Sequence, residues 1–196
     1  NVSKVEGDYM NIRVGVSNRH VHLLESDYEI LFGKNSHLTK RNDLSQDDEF
    51  ASNDVVTIKT EAGTLNNVRV LGPFRNYTQV EVSKTDTYTL KINPAYASSG
   101  HFEDASVVTI VGPKGKVTKK CCILAVRHIH VNNIDDTYHD GQKVSVIVNT
   151  IKGGIMDNVY IKKGKGYHFE LHLDTDDANA FDLKNGDYVR IIDEEV

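Results

Sequence analysis

Two copies of an arginine–histidine–x–histidine motif are the residues of this chain best suited to metal chemistry. The motif occurs as Arg19-His20-Val21-His22 and again as Arg127-His128-Ile129-His130. In an extended strand, side chains two residues apart point to the same face, so each copy presents two imidazoles side by side. Neutral imidazole is a preferred ligand of zinc and related metals. Each copy therefore indicates two ligands for one ion, with surface or hydrogen-bonded histidines as the alternative.

The motif belongs to a longer internal duplication. Asn66-Asn67-Val68 is echoed by Asp157-Asn158-Val159, and Gln79-Val80-Glu81-Val82 is echoed by Glu170-Leu171-His172-Leu173. In both echoes the second copy lies 91 residues after the first. The second His-x-His motif lies 108 residues after the first, and surface loops tolerate such a difference of about 17 residues. The duplication gives each half one later ligand-type residue, Glu81 in the first half and His172 in the second.

Short strands and glycine turns must position these residues. Segments rich in β-branched residues predict strands at residues 14–16, 55–59, 68–71, 80–82, 107–111, 144–148, 159–161 and 188–192. Turns such as Gly112-Pro113-Lys114-Gly115 and Asn185-Gly186-Asp187 separate them. Many short strands favour barrels or a sandwich over a parallel α/β sheet. We therefore predict a mainly β protein with two small related β-barrel domains and a few short α-helices.

The duplication also sets the expected domain boundaries. We expect residues 19–126 to form the first β-barrel domain and residues 127–196 the second, completed by an N-terminal strand at residues 8–18. Helices are predicted in two places. Ser26-x-x-Glu29 resembles a capping box at the start of a helix over residues 27–32, which Gly33 ends. Thr175 is the predicted cap of a short helix over residues 176–181.

Composition and charge exclude several classes of function. The hydrophobic fraction of 39% and charged fraction of 26% are typical of a soluble globular protein. The net charge is −5, with Lys and Arg spread along the chain, so nucleic-acid binding is not expected. No apolar stretch has the length of a membrane span, and residues 1–11 are polar, unlike a signal peptide. Cys121 and Cys122 lie in an apolar run that predicts reduced thiols on a buried strand of an intracellular protein.

The two halves each offer three ligands. A set of His20, His22 and Glu81 leaves one coordination position open, as catalytic zinc sites do, whereas structural zinc is normally closed by four protein ligands. His128, His130 and His172 form a second such set. The alternative for Glu81 is an exposed strand carboxylate. The histidines at 37, 101, 139 and 168 lie outside the duplication and are expected on the surface or in loops.

Three arginines could support these sets. Arg75 ends the turn Gly72-Pro73-Phe74-Arg75, which leads to the strand of Glu81. Its guanidinium could hold an oxyanion such as phosphate beside a metal, although a solvent-facing loop arginine is the simpler alternative. Arg19 and Arg127 could support the ligands or fix the strand ends, and the sequence leaves both open.

Seven segments together resemble the PduL-type phosphotransacylases, also called phosphate propanoyltransferases. They run in order from about Val14 to the C-terminus and comprise residues 14–23, 38–46, 68–73, 79–86, 111–115, 127–130 and 172–180. The resemblance implies an enzyme that interconverts acyl-CoA and phosphate with acyl phosphate and free coenzyme A. It also implies two β-barrel domains and an active site with two zinc ions.

The resemblance implies a role for each site residue. His20, His22 and Glu81 would bind one zinc, whose open position can take the sulfur of coenzyme A. His128, His130 and His172 would bind the other, completed by water or phosphate. Arg75 matches the phosphate-binding arginine of the family. Six further positions match the coenzyme A site, namely Val16, Ser17, Asn18, Arg69, Leu71 and Asn179.

The resemblance also bears on location and assembly. Family members housed in bacterial microcompartments often carry an amphipathic N-terminal targeting peptide. Residues 1–11 show no such stripe, so either the peptide was removed or this is a free cytosolic form. We therefore expect a cytoplasmic homodimer, either free or beside the shell or lumen enzymes of a microcompartment.

Two other interpretations of these residues leave part of the pattern without a role. In a cupin-type metalloenzyme, His20 and His22 would act with Glu25, but the second His-x-His would have no role. A non-catalytic adaptor built on a double-psi-type barrel fits the turn at Asn185-Gly186-Asp187, but it leaves six ligand-type residues unexplained. Phosphate acyl transfer accounts for more of the chain than either.

Overall fold

β-Branched residues alternate with polar ones along most of the chain, and these segments form strands. The computed structural model describes residues 10–192. The predictions for residues 1–9, including the prediction that they lack an amphipathic targeting peptide, lie outside this range. The strands are β1 (Met10–Ser17), β2 (His20–His22), β3 (Lys40–Asp43), β4 (Phe50–Lys59), β5 (Thr64–Gly72), β6 (Gln79–Val82), β7 (Tyr96–Ala97), β8 (Ser106–Val111), β9 (Lys116–Ala125), β10 (His128–Asn132), β11 (Lys143–Val148), β12 (Gly154–Gly164), β13 (Glu170–Asp174) and β14 (Tyr188–Ile192). All eight predicted strand segments are confirmed.

The strands close into two six-stranded barrels, which confirms the predicted fold class. The first barrel has the cyclic order β9-β6-β2-β5-β4-β8, with β3 paired to β4 and β7 paired to β9 outside the ring. The second barrel has the order β1-β13-β10-β12-β11-β14. The orders are equivalent strand by strand, so the duplication seen in the sequence is a duplication of the whole barrel.

Two compact units contain these barrels. The first unit consists of Ser17–Val126 and Asp174–Asp176. The second consists of Arg127–Leu173 with residues 10–16 and 177–192 of the described range. β1 therefore contributes to the second unit, where Ile12 pairs with Val189 of β14. The division into a first domain at residues 19–126 and a second at residues 127–196, completed by residues 8–18, stays a prediction.

Each barrel has its own apolar interior, because inward-facing positions alternate along its strands. The first interior includes Val21, Ile58, Val70 and Ile110, and the second includes Ile12, Ile129, Val146 and Leu171, all at most 1% exposed. At roughly 25 cal/mol per Å² of apolar surface removed from water, such side chains are the main source of stability.

The two cysteines lie on β9, as the apolar run predicted. Both are buried free thiols. Burial raises the pKa of the Cys121 thiol to about 12 and raises the pKa of the Cys122 thiol as well. Since the thiolate is the form that binds metals and reacts, neither cysteine is suited to either task.

The helices are short, and the predicted start of the first one is wrong. α1 spans Glu25–Phe32, so it begins before Ser26, and its N-cap Leu24 makes no side-chain capping bond. The capping box occurs instead on α2 (Lys84–Leu90), where Ser83 and Asp86 bond each other's backbone N–H groups. α3 spans Thr175–Ala180, so that Thr175 is its first residue. Within residues 10–192, no helix combines the length and apolar character needed to cross a membrane.

The duplication extends to a backbone irregularity in each barrel. The pairing of β4 with β5 shifts register beside Val56, and that of β11 with β12 shifts beside Val144. Asn67 and Asn158, at equivalent positions, both adopt φ of 56°. A hydroxyl bridges each irregularity: Thr57 donates to Asn66 at 3.2 Å and Ser145 to Asp157 at 2.7 Å. The equivalent bulges bend the strands that flank both His-x-His motifs.

Replacing Asn67 or Asn158 with alanine should lower the free energy of unfolding by about 1 kcal/mol, because only glycine and asparagine readily adopt this left-handed conformation. Replacement with glycine should cost much less, since glycine has no Cβ to clash. Urea unfolding of the two alanine and two glycine variants measures this. Equal losses for alanine and glycine would show that side-chain contacts, not backbone conformation, select asparagine.

Candidate functional site

Strand register brings three ligand-type residues together in the first barrel. β2 lies between β5 and β6, and His20 is directly opposite Glu81 in its antiparallel pairing with β6. His22, two residues on, points to the same face. One ligand atom from each of His20, His22 and Glu81 lies within 4.8 Å of the others. His20 and His22 are buried, and Nε2 of His20 is 3.5 Å from Oε2 of Glu81.

The second barrel repeats this arrangement with a histidine in place of the glutamate. β10 lies between β12 and β13, and His128 is directly opposite His172. Ligand atoms of His128, His130 and His172 also lie within 4.8 Å of one another. The ring centroids of His130 and His172 are 4.2 Å apart. The residues that the sequence grouped by duplication are thus neighbours within each barrel.

Hydrogen bonding prepares His20 as a ligand. The carbonyl oxygen of Asn18 can only accept, so the 2.8 Å contact from Nδ1 of His20 makes that nitrogen the donor and leaves the Nε2 lone pair facing Glu81. Burial lowers the pKa of His20, but the charge of Glu81 and the hydrogen bonds that the protonated ring donates to Glu81 and Asn18 outweigh burial and raise the pKa above its ordinary value.

The arginine before each His-x-His motif pairs with an acid in the helix that follows the third ligand. Arg19 binds Asp86 of α2 at 2.7 Å. Arg127 lies 3.8 Å from Asp177 of α3, the equivalent position. These ion pairs tie the start of each His-x-His strand to the same helix start.

Arg75 is held beside the first cluster by an acid and a tyrosine. Its backbone N–H donates to Leu23 at 3.0 Å. Its guanidinium donates to Glu49 at 2.8 Å and to the Tyr77 hydroxyl at 2.9 Å. Burial lowers the pKa of Arg75, but the effects of Tyr77, Glu49 and Glu81 together outweigh burial and raise the pKa above its ordinary value. The guanidinium therefore stays cationic. The side chain is 22% exposed, so Arg75 is not a solvent-facing loop arginine.

Four of the six residues matched to the coenzyme A site lie in the first unit. Ser17 ends β1 and Asn18 follows it, both exposed. Arg69 is opposite His20 and Leu71 is opposite His22 on β5, so they flank the first cluster. The guanidinium of Arg69 donates to the carbonyl oxygens of Ser52 and Asn53 at 3.2 and 3.0 Å.

The other two matched residues lie in the second unit. The backbone N–H of Val16 donates to Asn185 at 3.2 Å. Asn179 is exposed on α3. The structure thus divides the six positions between the two units, four in the first and two in the second.

Three residues beside the clusters were missed by the sequence analysis. Gln79 donates to Glu81 at 2.6 Å. Glu170 lies 3.3 Å from His172, and the ring of Tyr167 stacks on His130 at 4.0 Å. The duplication contained a signal for the first two, since Gln79 and Glu170 occupy equivalent positions two residues before the third ligand. No equivalent sequence signal pointed to Tyr167.

Residues expected to lie outside the site do so. Glu25, the acid of the cupin alternative, is the exposed first residue of α1 and is not part of the cluster. The four histidines outside the duplication, at positions 37, 101, 139 and 168, are exposed. The prediction that they are surface or loop residues is confirmed.

The donor sets suit a borderline divalent metal such as zinc. One set offers two imidazoles and a carboxylate, and the other offers three imidazoles, which are both ligand combinations of catalytic zinc sites. The donor of His20 is aimed by a hydrogen bond from its other nitrogen to a carbonyl, as is usual for metal-binding histidines. In geometry and chemistry, both clusters fit a metal ion held by three protein ligands.

Comparison with known proteins points to one family. The sequence model described as phosphate propanoyltransferase matches residues 13–184. A phosphate propanoyltransferase of Rhodobacter capsulatus is 39% identical over 194 residues, which cover 97% of this chain and 90% of the relative. Those of Rhodopseudomonas palustris and Thermotoga maritima are 42% and 41% identical, covering 94% and 93% of this chain and 83% and 89% of the relatives.

Proposed function

We propose that this chain, which belongs to the phosphate propanoyltransferase family, transfers a short acyl group between coenzyme A and phosphate with two zinc ions. In one direction a phosphate oxygen attacks the thioester carbonyl carbon, the carbon–sulfur bond breaks, and acyl phosphate and the coenzyme A thiolate are formed. The observation that carries the proposal is the pair of duplicated three-ligand clusters within a chain of this family.

The first cluster would hold one zinc through His20, His22 and Glu81, and the second would hold the other through His128, His130 and His172. Bound zinc would supply Lewis-acid stabilisation of the leaving thiolate and of negative charge at the thioester carbonyl. Within residues 10–192, both cysteines are buried with raised pKa values, so they fit the core better than covalent catalysis.

Arg75 would bind and orient phosphate. Phosphate is anionic at neutral pH, so it needs positioning more than deprotonation. A planar guanidinium can donate two parallel hydrogen bonds to it. Glu49 and Tyr77 use two of the five N–H donors and hold the side chain in place. Arg69, Leu71, Ser17 and Asn18, with Val16 and Asn179, are the proposed coenzyme A contacts.

Assembly and location are further parts of the proposal. We infer a homodimer in the cytoplasm, either free or associated with the shell or lumen enzymes of a bacterial microcompartment. The support for both is the resemblance of the chain to family members that function there. Size-exclusion chromatography with light scattering tests the dimer directly.

The reaction itself is tested by measuring free thiol released from acetyl-, propanoyl- and butanoyl-coenzyme A with and without phosphate. We expect phosphate-dependent release from all three, because one methylene changes discrimination by only about 1–3 kcal/mol. Sulfate serves as the control, since it is an anion of similar shape but a poor nucleophile. Equal release without phosphate would indicate a thioesterase, and no release would favour the adaptor.

Metal analysis tests the two clusters separately. The purified chain should carry about two zinc ions, and His20→Ala or His130→Ala should each remove one while the barrels stay folded on their own apolar interiors. His37→Ala and His139→Ala, which change exposed histidines, should keep both ions. Mass spectrometric zinc analysis with circular dichroism measures this. Full activity with one ion or none would contradict the dinuclear proposal.

Substitution of Arg75 tests phosphate binding. Arg75→Ala should raise the apparent KM for phosphate about 10- to 100-fold, since a hydrogen bond to a charged group contributes about 1.5–3 kcal/mol. Arg75→Lys should recover only part of the lost phosphate affinity, because lysine keeps the charge but lacks the planar pair of N–H donors of the guanidinium. Arg41→Ala, at an exposed arginine of β3, is the matched control. An unchanged phosphate KM in Arg75→Ala would remove the residue from the site.

A further inference from the structure

Each third ligand has a neighbour two residues earlier on the same strand and the same face. In the first barrel this neighbour is Gln79, and in the second it is Glu170. Both are buried, at 0% and 3% exposure. Each is also directly opposite the second histidine of its motif, Gln79 opposite His22 and Glu170 opposite His130. The duplication therefore places a buried polar side chain at the same point of both clusters.

In the first barrel the neighbour is a hydrogen-bond donor. The backbone N–H of Gly100 donates to Oε1 of Gln79 at 2.8 Å, so the amide NH₂ of Gln79 must face the other way. That NH₂ donates to Oε1 of Glu81 at 2.6 Å. The other carboxylate oxygen of Glu81, Oε2, faces His20. Gln79, with the hydroxyl of Ser99 donating at 3.4 Å, thus holds one oxygen of Glu81 while the second faces His20.

In the second barrel the neighbour is a carboxylate, which accepts from Nε2 of His172 when Nδ1 is the nitrogen of that ring that binds the metal. Oε2 of Glu170 lies 3.3 Å from Nε2 of His172, and Oε1 forms an ion pair with Nη1 of Arg13 on β1. The set of converging ligand atoms consists of His128, His130 and His172, so Glu170 contacts a ligand without being one of the three. A carboxylate buried this deeply is stabilised by such partners.

A glycine on β1 makes room for this carboxylate. A Cβ placed on Gly15 would lie 3.0 Å from Cδ of Glu170 and 3.1 Å from Oε2. Any larger residue at this position would push the carboxylate away from where it now lies. Arg13 and Gly15 therefore define the position of Glu170 together, one by charge and one by the absence of a side chain.

We propose that Gln79 and Glu170 are positioning residues, each chosen to complement the third metal ligand beside it. The inference rests on the proposed metal function of the two clusters. Where the ligand is a carboxylate, the neighbour donates, and where the ligand is an imidazole, the neighbour accepts. Ligand and neighbour have changed together between the halves, from Gln79 with Glu81 to Glu170 with His172. A merely structural polar residue has no reason to follow the identity of the ligand.

The test measures zinc affinity at one site at a time in the full chain. His20→Ala leaves the second site to be measured, and His130→Ala leaves the first. Metal-free protein in each background is titrated with zinc against a chromophoric chelator. Glu170→Met should weaken the second site about 10- to 100-fold, as loss of such partners does, and leave the first unchanged. Gln79→Met should do the reverse.

A conservative variant separates positioning from packing. Glu170→Gln keeps an acceptor oxygen and the same shape, so it should recover much of the affinity lost in Glu170→Met. Circular dichroism of the metal-free variants should match that of the parent. Cobalt(II) absorption at the remaining site reports whether the ligand geometry has changed.

Three results would overturn the inference in distinguishable ways. If the unsubstituted chain binds no zinc, the proposed function fails and the inference fails with it. If it binds two ions and Glu170→Met binds zinc at the second site as tightly as its parent, only the inference fails. Equal weakening by Glu170→Met and Glu170→Gln, with altered circular dichroism, would assign Glu170 to packing.

Discussion

The antiparallel pairing register of two strands is the constraint on which both clusters depend. Residues directly opposite each other in such a pair point to the same face, so His20 with Glu81 and His128 with His172 each converge. A slip of one residue would send one member of each pair to the opposite face. The buried residue between the two histidines of each motif, Val21 or Ile129, opposes this slip because the slip would turn it out of the barrel interior.

Duplication gave the two clusters the same framework but different chemistry. The Arg19–Asp86 and Arg127–Asp177 pairs and the bulges at Asn67 and Asn158 recur at equivalent points. The third ligand differs, and with neutral histidines the first set carries one negative charge and the second carries none. The same divalent ion would therefore leave the two centres one charge unit apart, so they would differ in their attraction for anions.

The fold and the two sets of ligand residues could be predicted from the sequence, because strand periodicity and duplication are visible as patterns of residue type. Val55, Val80 and Val144 marked strands correctly, and His172 was found only through its alignment with Glu81. The start of α1 was missed because the helix begins without a capping side chain, so the Ser26-x-x-Glu29 pattern does not mark its first residue. α2 was missed because its threonines are weak helix formers.

Neighbours such as Glu170 and Tyr167 were harder to predict, since their roles depend on where other side chains leave room. Glu170 depends on Gly15, which is distant in sequence, and Tyr167 occupies space that a Cβ on Gly164 would fill at 2.4 Å from its ring. No local pattern encodes these contacts. They follow from packing, which only the folded chain defines.

The order in which the chain leaves the ribosome acts differently on the two barrels. All ring strands of the first barrel lie between residues 20 and 125, so that ring can close while the rest of the chain is still being made. The second ring joins residues 10–17 to residues 188–192, where Met10 pairs with Ile191. β1 must therefore wait, with one edge unpaired, until residues 188–192 have been made. Shortening the described chain at either end would remove β1 or β14 and open the second ring, while every strand of the first ring would stay in place.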